Sequence, residues 1–211
     1  MRALVLALTA LLLGACVQTR VAGYVDPAYR GGAAIRSIAV AAQTPRLAER
    51  EALESAAVAE LTANGVHAVR MIDLVPPTRP GGPAAEAAAI RTTGVRAVLR
   101  IAVDQRATVT RYIPPTYLGD PFFYGYGGGY GGFWPYGGWY GRPAFAGPVT
   151  GGGWVDEPAA RYEARLQESG SGTVIWTGEA TARGNSSSDF ADLAARAAKD
   201  LVARLKQDGL V

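Results

Sequence analysis

The sequence predicts an α+β fold: a single mixed sheet with helices on one face, in the order β-α-β-α-β-β-β-α, carrying a long Gly/aromatic loop insertion. Three observations predict it. First, Val95, Ala97, Leu99, Ile101, Val103, Ala107, Val109 and Ile113 fall on one parity, while Arg96, Arg100, Asp104, Arg106, Thr108, Thr110 and Tyr112 fall on the other. Strand side chains alternate between faces, so this stretch reads as a strand with one buried and one wet face. Second, Phe190, Leu193, Ala197, Leu201 and Leu205 recur at the spacing of an amphipathic helix. Third, Ala-rich helical patterns separate the strand patterns. A doubly wound sheet buries both faces and reads as unbroken apolar runs, so the alternation favours helices on one side only.

The elements follow in chain order. Ile35 to Ala41 (IRSIAVA) is the first strand, and Thr44-Pro45 supplies an N-cap followed by proline at the first helical position. From there to Asn64 the chain is rich in Ala, Leu and Glu, with Leu53, Ala57 and Leu61 on one face and Gly65 as the stop. Val66 to Leu74 is the second strand, ended by Pro76-Pro77, and an Ala-rich helix from Ala84 to Thr93 stops at Gly94. The alternating strand follows, its pattern interrupted by Val98, Ala102, Gln105 and Arg111. Arg161 to Glu168 alternates again, Ser169-Gly170-Ser171-Gly172 makes a hairpin turn, and Thr173 to Gly184 returns with Val174, Trp176 and Ala180 on one side. Ser186 to Ser188 offer N-caps for the last helix. Asp189 and Asp192 suit its positive end, and Lys199, Arg204 and Lys206 lie toward its other end, before Gly209.

The amino terminus has its own chemistry. Arg2 precedes an uncharged, Leu-rich run from Ala3 to Leu13, far shorter than the ~20 apolar residues a membrane-spanning helix needs. Leu13-Gly14-Ala15-Cys16 then matches the lipobox of lipoprotein signal peptides, in which small residues fit the peptidase and the thiol takes a diacylglyceryl group. Cys16 is the only cysteine in the chain. The organisation expected is a signal peptide over 1–15, a lipidated tether over 16–34, and an α+β domain over 35–211 interrupted by 117–154. Acyl chains contribute about 0.8 kcal/mol per buried CH₂, so a multiply acylated Cys16 anchors the chain to a membrane without a spanning helix. Val17 stands where Asp favours inner-membrane retention, which points to the outer membrane, facing the periplasm.

Several functions are excluded by what remains. With its one thiol acylated, the mature chain has no disulfide, redox or thiolate-metal chemistry, and the single His67 cannot build a His-rich metal site. The balance of 21 basic and 18 acidic residues is too even for a nucleic-acid binder. His67 heads a strand, Asp73 is a solitary carboxylate, and Ser186 to Ser188 lie outside any nucleophile motif. Arg96, Arg100 and Arg106 could meet an anionic partner, or simply solubilise a sheet face. No catalytic residue, metal ligand or cofactor site is expected, and the chain reads as a non-enzyme.

The stretch from Tyr117 to Trp154 differs from the rest, with YGYGGGYGGFWPYGGWYGRP at its centre. Glycine loses the most backbone entropy on ordering, so such a segment is costly to fix. It reads either as an insertion without a dedicated ligand or as an adhesive surface whose rings stack on sugars or settle at a membrane interface. The rings expected to bind a partner are Tyr130, Phe133, Trp134, Tyr136, Trp139 and Tyr140. A nucleotide loop is a poor reading, because no Walker lysine follows the glycines.

The residues Val174, Ile175, Trp176, Gly178 and Ala180, followed by the helix from Asp189 to Gln207, resemble a signature of bacterial lipoproteins, the domain-of-unknown-function family numbered forty-one thirty-six. The element order is similar to the domain shared by curli-secretion lipoproteins, activators of penicillin-binding proteins and the amino-terminal part of the Tol-Pal translocation protein. That resemblance implies action through protein contacts, although a fold does not fix a function. The expectation is a lipid-anchored periplasmic binding or assembly module of the cell envelope, with an envelope protein as partner. The alternative is a glycan- or peptidoglycan-binding lipoprotein that uses the aromatic loop.

Overall fold

The computed structural model describes residues 17–79, 81–114, 116–117, 149–150 and 152–211. They divide into two compact units, one from the chain up to Val109 together with Asp156–Val211, the other within Thr110–Val155.

The first unit is built on a six-stranded sheet in the order β1-β8-β7-β4-β2-β3. Its strands are β1 (Gln18–Val25), β2 (Ser37–Gln43), β3 (His67–Arg70), β4 (Ala97–Ile113), β7 (Gly153–Glu168) and β8 (Val174–Arg183), with β4 and β7 running on into the second unit. A separate pair, β5 (Thr116–Tyr117) and β6 (Val149–Thr150), is antiparallel. The helices are α1 (Leu47–Ala63), α2 (Met71–Leu74), α3 (Pro83–Thr93) and α4 (Phe190–Gln207). The sheet is mixed. β2 is parallel to β3 and β4, whereas β8 is antiparallel to β1 and β7. Ser169 N–H donates to the Arg96 carbonyl and Arg100 reaches Gln167, so β7 runs back along β4.

The two long helices pack against each other on one face of the sheet. Leu53, Ala57 and Leu61 of α1 and Leu193, Ala197, Leu201 and Leu205 of α4 close over Ile38, Val40, Leu99, Ile101, Tyr162, Leu166 and Trp176. A smaller core lies on the other face of the parallel half, where Met71 and Ile90 cover Ala39, Ala41 and Val98. The strand order explains it. From β2 the chain crosses by α1 to β3 on one side, then by α3 past β2 to β4 on the other. Right-handed crossovers in opposite directions place their helices on opposite faces. That is also why Val98 is buried although it breaks the alternation of β4.

Four local expectations are corrected. Residues 18–25, expected within a tether, form β1, which pairs along its whole length with β8 from Gln18↔Arg183 to Val25↔Trp176. The second strand stops at Arg70 and turns into α2, because the Glu54 carboxylate takes the N–H of Ile72 (2.7 Å) and that of Ala42 (3.0 Å) where a longer β3 would have paired. Helix α1 begins after Arg46 rather than at a Thr44 cap. Helix α4 is capped by Asp189, not by the serines: Asp189 accepts from the N–H of Asp192 (2.8 Å), and Asp192 accepts from that of Asp189 (3.0 Å). Gly65 and Gly94 follow α1 and α3 with left-handed φ values of 76° and 66°, as their placement predicts.

Candidate binding surfaces

The carboxyl ends of β2 and β4 are where an open α/β sheet usually holds a ligand. Here an ion pair fills the place. Arg106 donates through Nε to Glu49 (3.1 Å) and through Nη2 to Glu49 and to the Thr44 hydroxyl (2.9 Å). Thr44 in turn donates to Glu49 (3.0 Å), and Arg46 adds a longer contact (3.4 Å). Burial alone would raise the Glu49 carboxyl, but the Arg106 and Thr44 donors and the nearby guanidinium charges hold it below the usual glutamate value. Burial, with Glu49 close by, pushes the Tyr162 phenol well up. Arg106 was expected on the wet face with Arg96 and Arg100. It instead clamps α1 to the sheet.

Glu54, wholly buried, faces three donors: two backbone N–H groups and Arg50 Nε (3.2 Å). Burial pushes its carboxyl up while these donors pull it down, and burial prevails. Nothing in the spacing of α1 singled out Glu49 or Glu54, since an acidic residue in an Ala/Glu-rich helix reads as solvated surface. Both act as brackets between elements.

Among the described residues, none covers one face of the antiparallel half. Ala22 and Tyr24 of β1, Glu163 and Arg165 of β7 and Thr177 and Glu179 of β8 line a shallow trough of about 320 Å³ there. Its charges are internally balanced: Arg161 meets Glu179 at 2.7 Å and Asp104 at 3.9 Å, and Arg165 meets Glu163 at 3.8 Å. Exposed pairs of this kind contribute about 0–1 kcal/mol and exchange readily for a partner's charges. An open, ion-laced trough beside the Tyr24 ring suits an extended chain or another protein surface better than an enclosed small molecule.

In the second unit the rings of Tyr112 and Trp154 meet at 5.3 Å between centroids. Among the described residues both are exposed, at 50% and 72%, and so is Ile113.

Cys16 and the expected partner-binding rings Tyr130, Phe133, Trp134, Tyr136, Trp139 and Tyr140 lie outside the described residues. His67 is exposed at the head of β3. Asp73 is held by Arg70 through two 2.8 Å hydrogen bonds, and Arg100 by Glu86 (2.9 Å) and Gln167 (3.2 Å). Ser186 to Ser188 belong to the turn before α4, where Ser187 and Ser188 both donate to Asn185. Among the described residues, no three His, Cys, Asp or Glu side chains gather as a metal site, and no helix is long and apolar enough to cross a membrane.

No protein-family model and no curated protein matches the chain. The likeness of Val174 to Ala180 to the lipoprotein signature therefore rests on those residues alone. Among solved structures, the chain is similar to a PelC dodecamer from Paraburkholderia phytofirmans, with 19% identity, TM-score 0.48, and coverage of 89% of this chain and 97% of that one. It is also similar to lipoprotein GNA1162 from Neisseria meningitidis, with 16% identity, TM-score 0.43, and coverage of 81% and 98%. A PDZ domain protein from Parabacteroides distasonis follows at 12% identity and TM-score 0.37, covering 96% of this chain and 39% of that one. No function is carried over from likenesses this distant.

Proposed function

We propose that the chain is a lipid-anchored, non-catalytic binding or assembly module of the bacterial cell envelope, held at the outer membrane and facing the periplasm. The lipobox Leu13-Gly14-Ala15-Cys16 carries this reading. The described surface is consistent with it: the place where a sheet of this kind would hold a small molecule is filled by Arg106 and Glu49, and the open surfaces are shallow. The β1-β8-β7 face, which no described residue covers, is the best candidate for a protein partner. Photo-crosslinking in intact envelopes from probes at Tyr24 and Glu163 tests this. Capture of one defined envelope protein supports the assembly role, and labelling indistinguishable from that of a probe at Glu51 on α1 refutes the face as its site.

A second reading, glycan or peptidoglycan binding, is favoured by the exposed Tyr112–Trp154 pair. Rings set to stack on sugars should make the protein sediment with murein sacculi, and Tyr112→Ala with Trp154→Ala should release it. Sedimentation unchanged by the double substitution rules out this pair as the glycan site.

A further inference from the structure

We propose that the end of the sheet at which β1 begins is the membrane-facing surface of the first unit, with Leu47 and Arg46 seated in the phospholipid headgroup layer. The proposal rests on lipidation at Cys16. Only Val17 separates that residue from Gln18, the first residue of β1. Two residues of extended chain reach at most about 7 Å. An α-helix with its side chains is about 10–12 Å across, so no helix fits between the start of β1 and the bilayer; β4 and β7 leave the first unit at this same end. The expected tether would have left the orientation free. β1 removes that freedom.

The strand directions say what else occupies this end. β1 is antiparallel to β8, so its start lies beside Arg183 at the end of β8, and the chain continues from there into α4. β8 is antiparallel to β7, β7 runs back along β4, and β4 is parallel to β2, so the end of β2 and the start of α1 are here too. The Arg46 guanidinium lies over the Phe190 ring, 5.6 Å from its centroid, joining the starts of the two long helices. Leu47, the first residue of α1, is 53% exposed beside it, and the Arg46 side chain is 58% exposed. One exposed leucine means little by itself. At the same end of the sheet as an acyl anchor it becomes an apolar contact for the interface, and the Arg46 guanidinium, loosely paired with Glu49 at 3.4 Å, can also meet lipid phosphate. The acidic groups at this end include Asp189 and Asp192, each of which accepts a backbone N–H of the α4 cap through one oxygen.

Acylation uses the chain's only thiol, so a single introduced cysteine can be labelled uniquely. The acylated full-length protein is reconstituted into vesicles of phosphatidylethanolamine and phosphatidylglycerol that contain a headgroup-nitroxide lipid. A fluorophore is attached at Leu47→Cys or, at the opposite end in the β7–β8 turn, at Ser171→Cys. The label at 47 should be quenched several-fold more than the label at 171. Equal quenching at the two positions, or stronger quenching at 171, overturns the orientation while leaving lipidation intact. Mass spectrometry of the same preparation separates the two failures, because an unmodified Cys16 thiol overturns the orientation and the lipoprotein reading together.

Discussion

At Gly178 a side chain is missing because Trp176, two residues earlier on β8, lies where a Cβ would go. A Cβ there would overlap the indole carbons, and one on Gly23 of the paired β1 would lie 2.9 Å from the indole nitrogen. The ring is fixed from the other side as well: Nε1 donates to Asp208 (2.8 Å), and Arg204 holds Asp208 (3.0 Å) while reaching the Gly23 carbonyl (3.4 Å). Tryptophan followed two residues later by glycine, the part of the sequence that resembles a lipoprotein signature, is thus one packing unit joining β1, β8 and α4. Overpacking a well-filled core costs about 1–3 kcal/mol, and Gly178→Ala should lie at the upper end because a buried ring cannot swing away. Gly170→Ala, with open space around it, should stay within about 0.5 kcal/mol in the same denaturant melts. The two buried carboxylates make a separate prediction at this scale. Glu49 has a lowered pKa, so it stays ionised in the fold at pH values where the unfolded chain takes up its proton. Its contribution is fully present above about pH 4.5 and is lost as pH falls through the lower folded value. Glu49→Gln should therefore flatten the acid side of a stability–pH curve. Glu54 has a raised pKa and contributes with the opposite sign, its effect weakening the fold as pH rises from the ordinary glutamate value toward the folded one. Glu54→Leu should still destabilise at neutral pH, by about 1–3 kcal/mol for each stranded N–H of Ala42 and Ile72.

Strand β4 shows how far an element could be read in advance. Its alternation correctly placed Leu99 and Ile101 in the core with Trp176 and Leu201, and Arg100 on the other face, whereas Val95, expected beside Leu99, lies in the smaller core with Val98. Ile101→Ala should cost about 2–5 kcal/mol for a fully buried site, and Arg100→Ala no more than about 1 kcal/mol, because its partners Glu86 and Gln167 are partly solvated. Equal losses in denaturant melts would contradict the face assignment. From Ala107 onward the same pattern continues, yet every residue is exposed, Val109 and Ile113 included. Alternation records which face a strand offers and says nothing about whether a helix lies over it. β1 was missed for a related reason. Its inward positions Thr19, Val21, Gly23 and Val25 are mostly small and half-buried, so its apolar signal is weak, and it starts too close to the lipobox to stand out from a tether. Arg106 and Glu49 were illegible because their pairing spans 57 residues and depends on the crossover of α1.

The first unit closes its own apolar cluster from α1, α4 and the sheet. Replacing residues 114–152 with a short Gly-containing turn should therefore leave the cooperative melt in place, since loop-closure cost changes only slowly with length. A lost transition would make the segment part of the fold. The substitution of Trp134, Tyr136, Trp139 and Tyr140 together by Ser should weaken envelope association without moving the melt if those rings are adhesive. Every functional statement about this chain depends on where the domain is held, and that turns on one atom, the sulfur of Cys16. Mass spectrometry of the mature amino terminus, purified from bacterial membranes, reads it directly. The account predicts a chain beginning at Cys16 whose sulfur carries a diacylglyceryl group. An unmodified terminus beginning at any other residue would contradict it.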